Sequence, residues 1–318
     1  MMDHEFLRRP CPLCGTNDAR EEVRSAQRAE AKTLESLRPF WSGLFKEKLF
    51  FSYHRCLACG LLYNPIFFDG PQLANLYSSM APNMDLVTSD AIAATQRGYF
   101  EAAAARAMLD GDYLEIGPDI GYIVGEAAQR GDFEHFWLFE PNRAIHDQLR
   151  RATGGRPATV LPDMDDLSAV PDGSVSLAVM VHVLDHLLDP LAALEQIRTK
   201  LRADGTLMIV THDERSLLRR VMGVRWPPFC LQHPELYNPT TIHNLLIRAG
   251  YGEVAVNRSY NHFPIDFLAR QAAWTIGLKL DRVPLPAFPI ALRLGNMLTL
   301  ASAPAQAAER SSSRPVAV

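Results

Sequence analysis

From Asp112 to Thr211 short apolar runs alternate with helix-patterned stretches, and no other feature of the 318-residue chain narrows its fold as far. The pattern predicts strands over residues 113–116, 135–139, 158–161, 175–181 and 206–211. Helices are predicted over 121–130, 142–151, 190–201 and 240–249. Successive parallel strands need a crossover, usually a helix, so this alternation predicts βαβ units around a mostly parallel sheet covered by helices on both faces. Residues 254–256 and 295–301 supply two further strands, which brings the predicted sheet to seven.

Composition sets the outer bounds. Hydrophobic residues are 47% of the chain and charged residues 21%, the balance of a globular protein rather than a disordered one. The net charge of −4 argues against a nucleic-acid partner, which would call for a basic face. No uncharged stretch is long enough to span a membrane, and the N-terminus lacks the apolar core of a secretion signal. Five cysteines are too few for a disulfide scaffold, so a cytoplasmic protein with reduced or metal-bound thiols is expected.

Four of those cysteines form two CxxCG units, Cys11–Cys14 followed by Gly15 and Cys56–Cys59 followed by Gly60. Each unit presents two thiolates from a tight turn, and the glycine permits the left-handed backbone that turns amides towards sulfur. Four thiolates complete a tetrahedral zinc site with no open position, which points to a structural role. A thioredoxin-type redox pair would explain one unit but not two. Cys230 stands alone and reads as packing. Residues 21–37 have a helical look, and a helix is predicted over 89–109. The expected organisation is a zinc-ribbon-like module over 1–70 and an α/β domain over 71–302. That domain includes an insertion or lid at 260–290, and a disordered tail follows at 303–318.

The first strand ends in Glu115-Ile-Gly117-Pro-Asp-Ile-Gly121, a glycine loop opening a helix, where a ligand can approach the backbone closely. The spacing is not GxGxxG, which disfavours a nicotinamide cofactor. Glu140 ends the second strand, where a carboxylate can accept both hydroxyls of a ribose. Asp163 follows the third strand, and His182-Val-Leu-Asp-His186 follows the fourth. All of these stand at carboxyl ends of strands, where open α/β sheets bind ligands.

These blocks, in this order, resemble the class I S-adenosylmethionine-dependent methyltransferases. Residues 114–121, 139–142, 162–167, 181–190 and 201–211 carry the likeness, which spans about residues 85–302. Together with the cysteine module and Gln232-His-Pro-Glu-Leu-Tyr-Asn-Pro-Thr-Thr241, they look like a bacterial branch that methylates small molecules and sugars. The resemblance implies a Rossmann-like sheet and S-adenosylmethionine as cofactor. It places Glu115 and the Gly117 backbone against the methionine portion, Glu140 on the ribose, Asp163 and the Met164 backbone at the adenine, and His182 near the sulfonium; Gly121 closes the loop. Many relatives carry glycine where this chain has Asp119.

A hydroxyl acceptor benefits from a general base, and histidine is the usual choice. The candidates are His233, His186 and His212, with His233 preferred and His186 next. Trp226, Phe229 and Tyr237 around His233 are candidates for pocket walls or for lid packing. The expected reaction is O-methylation of a small molecule or glycan. The alternatives are C-methylation of a nucleotide-linked sugar and an RNA-modifying or RNA-binding role that uses the ribbon as a grip.

Overall fold

The computed structural model describes residues 5–41, 48–78, 89–275, 283, 286, 288–293 and 295–304. The tail expected to be disordered lies outside the described residues from 305 onward, as do 276–282, 284–285 and 287 of the expected lid.

The N-terminal part holds β1 (Leu7–Arg8), β2 (Ala19–Val23), β3 (Tyr53–Cys56), β4 (Leu62–Tyr63) and β5 (Ile66–Phe67), with a short helix α1 (Leu34–Leu37). Two helices follow, α2 (Gly70–Ser78) and α3 (Ser89–Ala104). The sheet strands are β6 (Asp110–Ile116), β7 (Asp132–Phe139), β8 (Ala158–Leu161), β9 (Val175–Val181) and β10 (Leu201–His212). Between them run α4 (Tyr122–Arg130), α5 (His146–Ala152) and α6 (Pro190–Lys200). The remainder comprises α7 (Leu217–Met222), β11 (Glu235–Leu236), α8 (Pro239–Arg248), β12 (Val254–Arg258), β13 (Asn261–Pro264), α9 (Ile265–Thr275), β14 (Pro289–Leu292) and β15 (Asn296–Ser302).

The main sheet has seven strands in the order β12-β15-β10-β9-β6-β7-β8. The pairs among β6 to β10 are parallel, and β15 runs antiparallel between β10 and β12. This is the Rossmann-like α/β sheet expected from the alternation. Its central strands are buried on both faces. In β9, Leu177 and Val179 join one apolar layer with Tyr113 and Phe136, while Ala178 and Met180 join the opposite layer with Leu114 and Ile116. A period of two therefore feeds two cores from one strand.

Local chemistry fixes the crossovers. Asp189 caps α6 by accepting the amide N–H of Ala192, with Pro190 at the first helical position. Asn238 and Thr241 form a reciprocal capping box at α8, again followed by proline.

The segment over 21–37 departs from its helical look. Ala19–Val23 is a strand paired antiparallel with β3, and only Leu34–Leu37 is α-helical. The alanines and charges there carry helix propensity, but pairing with the N-terminal sheet overrides it. A second departure is larger. The N-terminal sheet has the order β11-β4-β3-β2, so Glu235–Leu236, far down the chain, completes it. Phe50, Tyr53 and Leu62 pack with Trp226, Phe229 and Leu236 in one apolar cluster, across the boundary expected at residue 70.

Candidate functional site

The carboxyl ends of β6, β7 and β9 open into a cavity of about 290 Å³. Glu115, Gly117, Glu140, Met164, His182 and His186 all line it. Tyr77 from α2 and Gln96 from α3 close it from the side.

Glu140 is the best-organised group. Its two carboxylate oxygens accept the amide N–H of Asn142 at 2.8 Å and of Asp119 at 3.2 Å. His146, the first residue of α5, lies with Nε2 2.7 Å from the Glu140 carbonyl. Each carboxylate oxygen keeps a further acceptor site for a ligand hydroxyl. Asp119 makes its contact from a left-handed backbone, φ 48°, a geometry aspartate takes more readily than most residues. Burial pushes the Glu140 carboxyl up to about 7, against the pull of its two amide donors.

Glu115 is almost fully buried and accepts the Tyr113 hydroxyl at 2.6 Å. Burial raises it to about 8, and the nearby Glu140 and Asp119 push the same way. Gly117 has φ 67°, and a Cβ there would meet Val183 Cγ2 at 2.5 Å. The backbone can line the cavity only because the side chain is absent.

Three expected site residues stand off the cavity. Gly121 caps α4 at φ 84°, and a Cβ on it would meet Leu149 at 2.9 Å and Ala152 at 3.2 Å, so its lack of a side chain serves the packing of α5. Asp163 is not among the lining residues and spends Oδ1 on the amide of Asp165, so Met164 alone represents that loop in the wall. His233 lies behind His186, its Nε2 3.1 Å from His186 Nε2. The two preferred base candidates therefore form one contact pair, with His186 as the member facing the cavity. Trp226, Phe229 and Tyr237 are fully buried and do not line it; Trp226 and Phe229 are in the ribbon cluster, where their rings find apolar partners.

Four histidines surround Asp185, whose side chain is fully buried and whose two oxygens find no hydrogen-bond partner among the described residues. His182 and His212 stack with centroids 4.5 Å apart, and His186 and His233 meet edge to face at 4.6 Å. His212 Nδ1 lies 3.0 Å from Asn296 Oδ1, while Asn296 Nδ2 donates to His182 Nε2 at 3.2 Å. Tyr77 Oη lies 2.7 Å from His186 Nδ1, and His233 Nδ1 donates to the Pro228 carbonyl at 2.7 Å. Burial and the neighbouring His233 push His186 down to about 3.

Tyr77 and Gln96 had no signal in the sequence. They precede the first sheet strand, and only the packing of α2 and α3 over the strand ends brings them in. The buried, unpartnered Gln96 Oε1 is available to a ligand.

The cysteines of the two CxxCG units converge. Cys11 and Cys59 sulfurs lie 3.5 Å apart, as do those of Cys14 and Cys56. All four sulfurs fall within 4.8 Å of one another, which suits a tetrahedral ion at about 2.3 Å from each. Gly15 and Gly60, at φ 77° and 78°, donate their amides to the carbonyls of Cys11 and Cys56 and close matching turns.

A methyltransferase-domain family model matches residues 89–256. Among solved structures, a chain from the complex between the Haloferax volcanii Trm112 methyltransferase activator and its methyltransferase is 18% identical, with a TM-score of 0.50, covering 68% of this chain and 94% of that one. A SAM-dependent methyltransferase from Thermotoga maritima is 15% identical, with a TM-score of 0.45, covering 66% and 89%. No curated protein matches the chain. Among the described residues no helix is long and apolar enough to cross a membrane.

Proposed function

Because this chain belongs to the methyltransferase-domain family, we propose that it moves a methyl group from S-adenosylmethionine to a hydroxyl of a small molecule or glycan. The observation that carries this reading is the Glu140 carboxylate, held by two amides at a strand end with acceptor sites turned to the cavity. When bound, the cofactor supplies a methyl on a sulfonium, already electrophilic. The residues present fit it: Glu140 for the ribose hydroxyls, the Gly117 backbone and Glu115 for the methionine portion, and Met164 beside the base.

The chain's own work is to align and to move one proton. Alignment of a nucleophile with the methyl group is worth roughly 7–11 kcal/mol in favourable cases. Tyr77 and His186 face the cavity. As the acceptor oxygen is alkylated, Tyr77 Oη takes its proton and passes its own to His186 Nδ1, 2.7 Å away, while the His186 Nε2–H moves on to His233 Nε2, 3.1 Å away, so the charge ends on His233. His233 supports His186 from behind, and Asp185 offsets the charge. The four cysteines hold a structural zinc, and no metal enters the transfer from that site.

A screen of acceptors with methyl-labelled cofactor, read by mass spectrometry, tests the reaction. His186→Ala should cut turnover by roughly 10²–10⁴-fold with cofactor affinity unchanged. Label appearing only on carbon or nitrogen would overturn the hydroxyl assignment, and an undiminished His186→Ala would remove the proton route.

A further inference from the structure

We propose that Asp185, His186 and His233 form a binding site for a divalent transition-metal ion behind the cavity wall at His186, separate from the cysteine site. The inference rests on the cleft reading above only for the ion's role, not for its binding.

The buried carboxylate is the first observation. Asp185 is fully buried with both oxygens unpartnered, a costly arrangement unless something positive occupies the space in front of it. The second is the orientation of the rings. His233 donates Nδ1–H to the Pro228 carbonyl, so an ion that displaces the proton shared with His186 meets its Nε2 as a lone pair. In the metal-bound tautomer His186 donates Nδ1–H to Tyr77 Oη, the reverse of the bond in the metal-free site, and its Nε2 is a lone pair as well. The two Nε2 atoms then face each other at 3.1 Å, the separation of adjacent ligands about 2.0–2.1 Å from one ion. Outer partners that fix the far nitrogen of each ring are what metal-binding histidines ordinarily have.

All three donor atoms lie within 4.8 Å of one another. His212 stands next to them, with Nε2 4.0 Å from Asp185 Oδ2. Two imidazoles and a carboxylate suit zinc, iron or another transition ion, whereas magnesium and calcium ask for all-oxygen cages. Three protein ligands leave coordination positions open, and His186 borders the cavity. An acceptor hydroxyl can fill one of them. Coordination lowers its pKa, so the O–H proton leaves to solvent on binding and the oxygen is held as the alkoxide. His186 is then a ligand, and with the ion bound this release replaces the proton route through Tyr77 that serves the metal-free site.

Cobalt(II) added to chelator-treated, full-length protein tests the site. Two equivalents should bind. One should show thiolate-to-cobalt charge transfer from the cysteines, and the other only visible ligand-field bands. Asp185→Asn, close to isosteric, should lose the second equivalent and keep the thiolate spectrum. Tyr77→Phe, which removes only an outer partner, should weaken the second equivalent by about 10–100-fold. A single equivalent with a thiolate spectrum in the wild type, or two unaltered equivalents in Asp185→Asn, would overturn the site and leave a shared proton between the rings. Calorimetry with S-adenosylhomocysteine on the same samples separates this result from the cleft reading. A second cobalt without nucleoside binding would sink the cofactor assignment and leave the metal site standing.

Discussion

At the scale of single residues, the two glutamates of the cavity make opposite demands on the empty and the filled site. Glu115 and Glu140 sit at about 8 and about 7 because burial penalises their charge. A cationic ligand needs them ionised, so its binding expels protons. Affinity for S-adenosylmethionine should therefore rise from pH 6 to about 8, by up to about tenfold per pH unit for each proton released, and then level off. Calorimetry across that range checks this, and Glu115→Gln should flatten the slope. The same raised values lower the stability of the empty protein as pH climbs. The unfolded chain releases these protons near the ordinary 4.5, while the fold keeps them until about 7 to 8. The cofactor-induced rise in Tm should accordingly be larger at pH 8.5 than at pH 6. Glu140→Ala should weaken cofactor binding, since hydrogen bonds to a charged group contribute roughly 1.5–3 kcal/mol each. Unchanged affinity would take Glu140 out of the site. Glu115 and Gly117 were legible in a strand end that runs into a glycine loop, and Glu140 in an acid that closes the next strand. Asp163 was not, since three acids share its loop and only packing decides which neighbour faces inward.

At the scale of elements, periodicity found every strand of the main sheet. The predicted strand over 206–211 becomes Leu201–His212, and the two later runs become β12 and β15. Where propensity and pattern disagreed, as over 21–37, neighbouring strands settled the matter. The turn between β6 and α4 accepts little change. Gly117→Val should abolish cofactor binding, because even a Cβ there lies 2.5 Å from Val183. Gly121→Ala should instead cost stability through its contact with Leu149, with the cavity wall left intact. Comparing the Tm and the cofactor affinity of each variant distinguishes the two roles. The ribbon is the other element at stake. Cys11→Ser should release the zinc found by elemental analysis and lower the Tm, because a structural site contributes folding free energy directly.

At the scale of the whole molecule, two arginines tie the N-terminal part to the rest. Arg9 donates to the carbonyls of Asn64, Leu188 and Pro234 and meets Glu235 at 2.5 Å, with both side chains nearly inaccessible. Arg55, on β3, donates to both oxygens of Glu214 at 2.7 and 3.0 Å. Removing one partner of a buried pair strands the other, so Arg9→Ala should destabilise the protein by about 3–5 kcal/mol. Denaturant unfolding measures it, and a loss below 1 kcal/mol would show that the pair is dispensable. None of this was visible in the sequence. Arg9 and Glu235 are 226 residues apart in the chain, and pairing over such a separation leaves no local pattern.

The strand that Glu235–Leu236 lends to the N-terminal sheet limits how this protein can be recombined. A chimera that replaces residues 1–70 with the corresponding part of a relative would remove the partner of β11, the aromatic bed of Trp226 and Phe229, and the hydroxyl of Tyr53 that holds the His233 carbonyl at 2.7 Å. The exchangeable unit is discontinuous: residues 1–70 together with 226–238. Transplants that respect it should keep the histidine pair in register, and those cut at residue 70 should lose it.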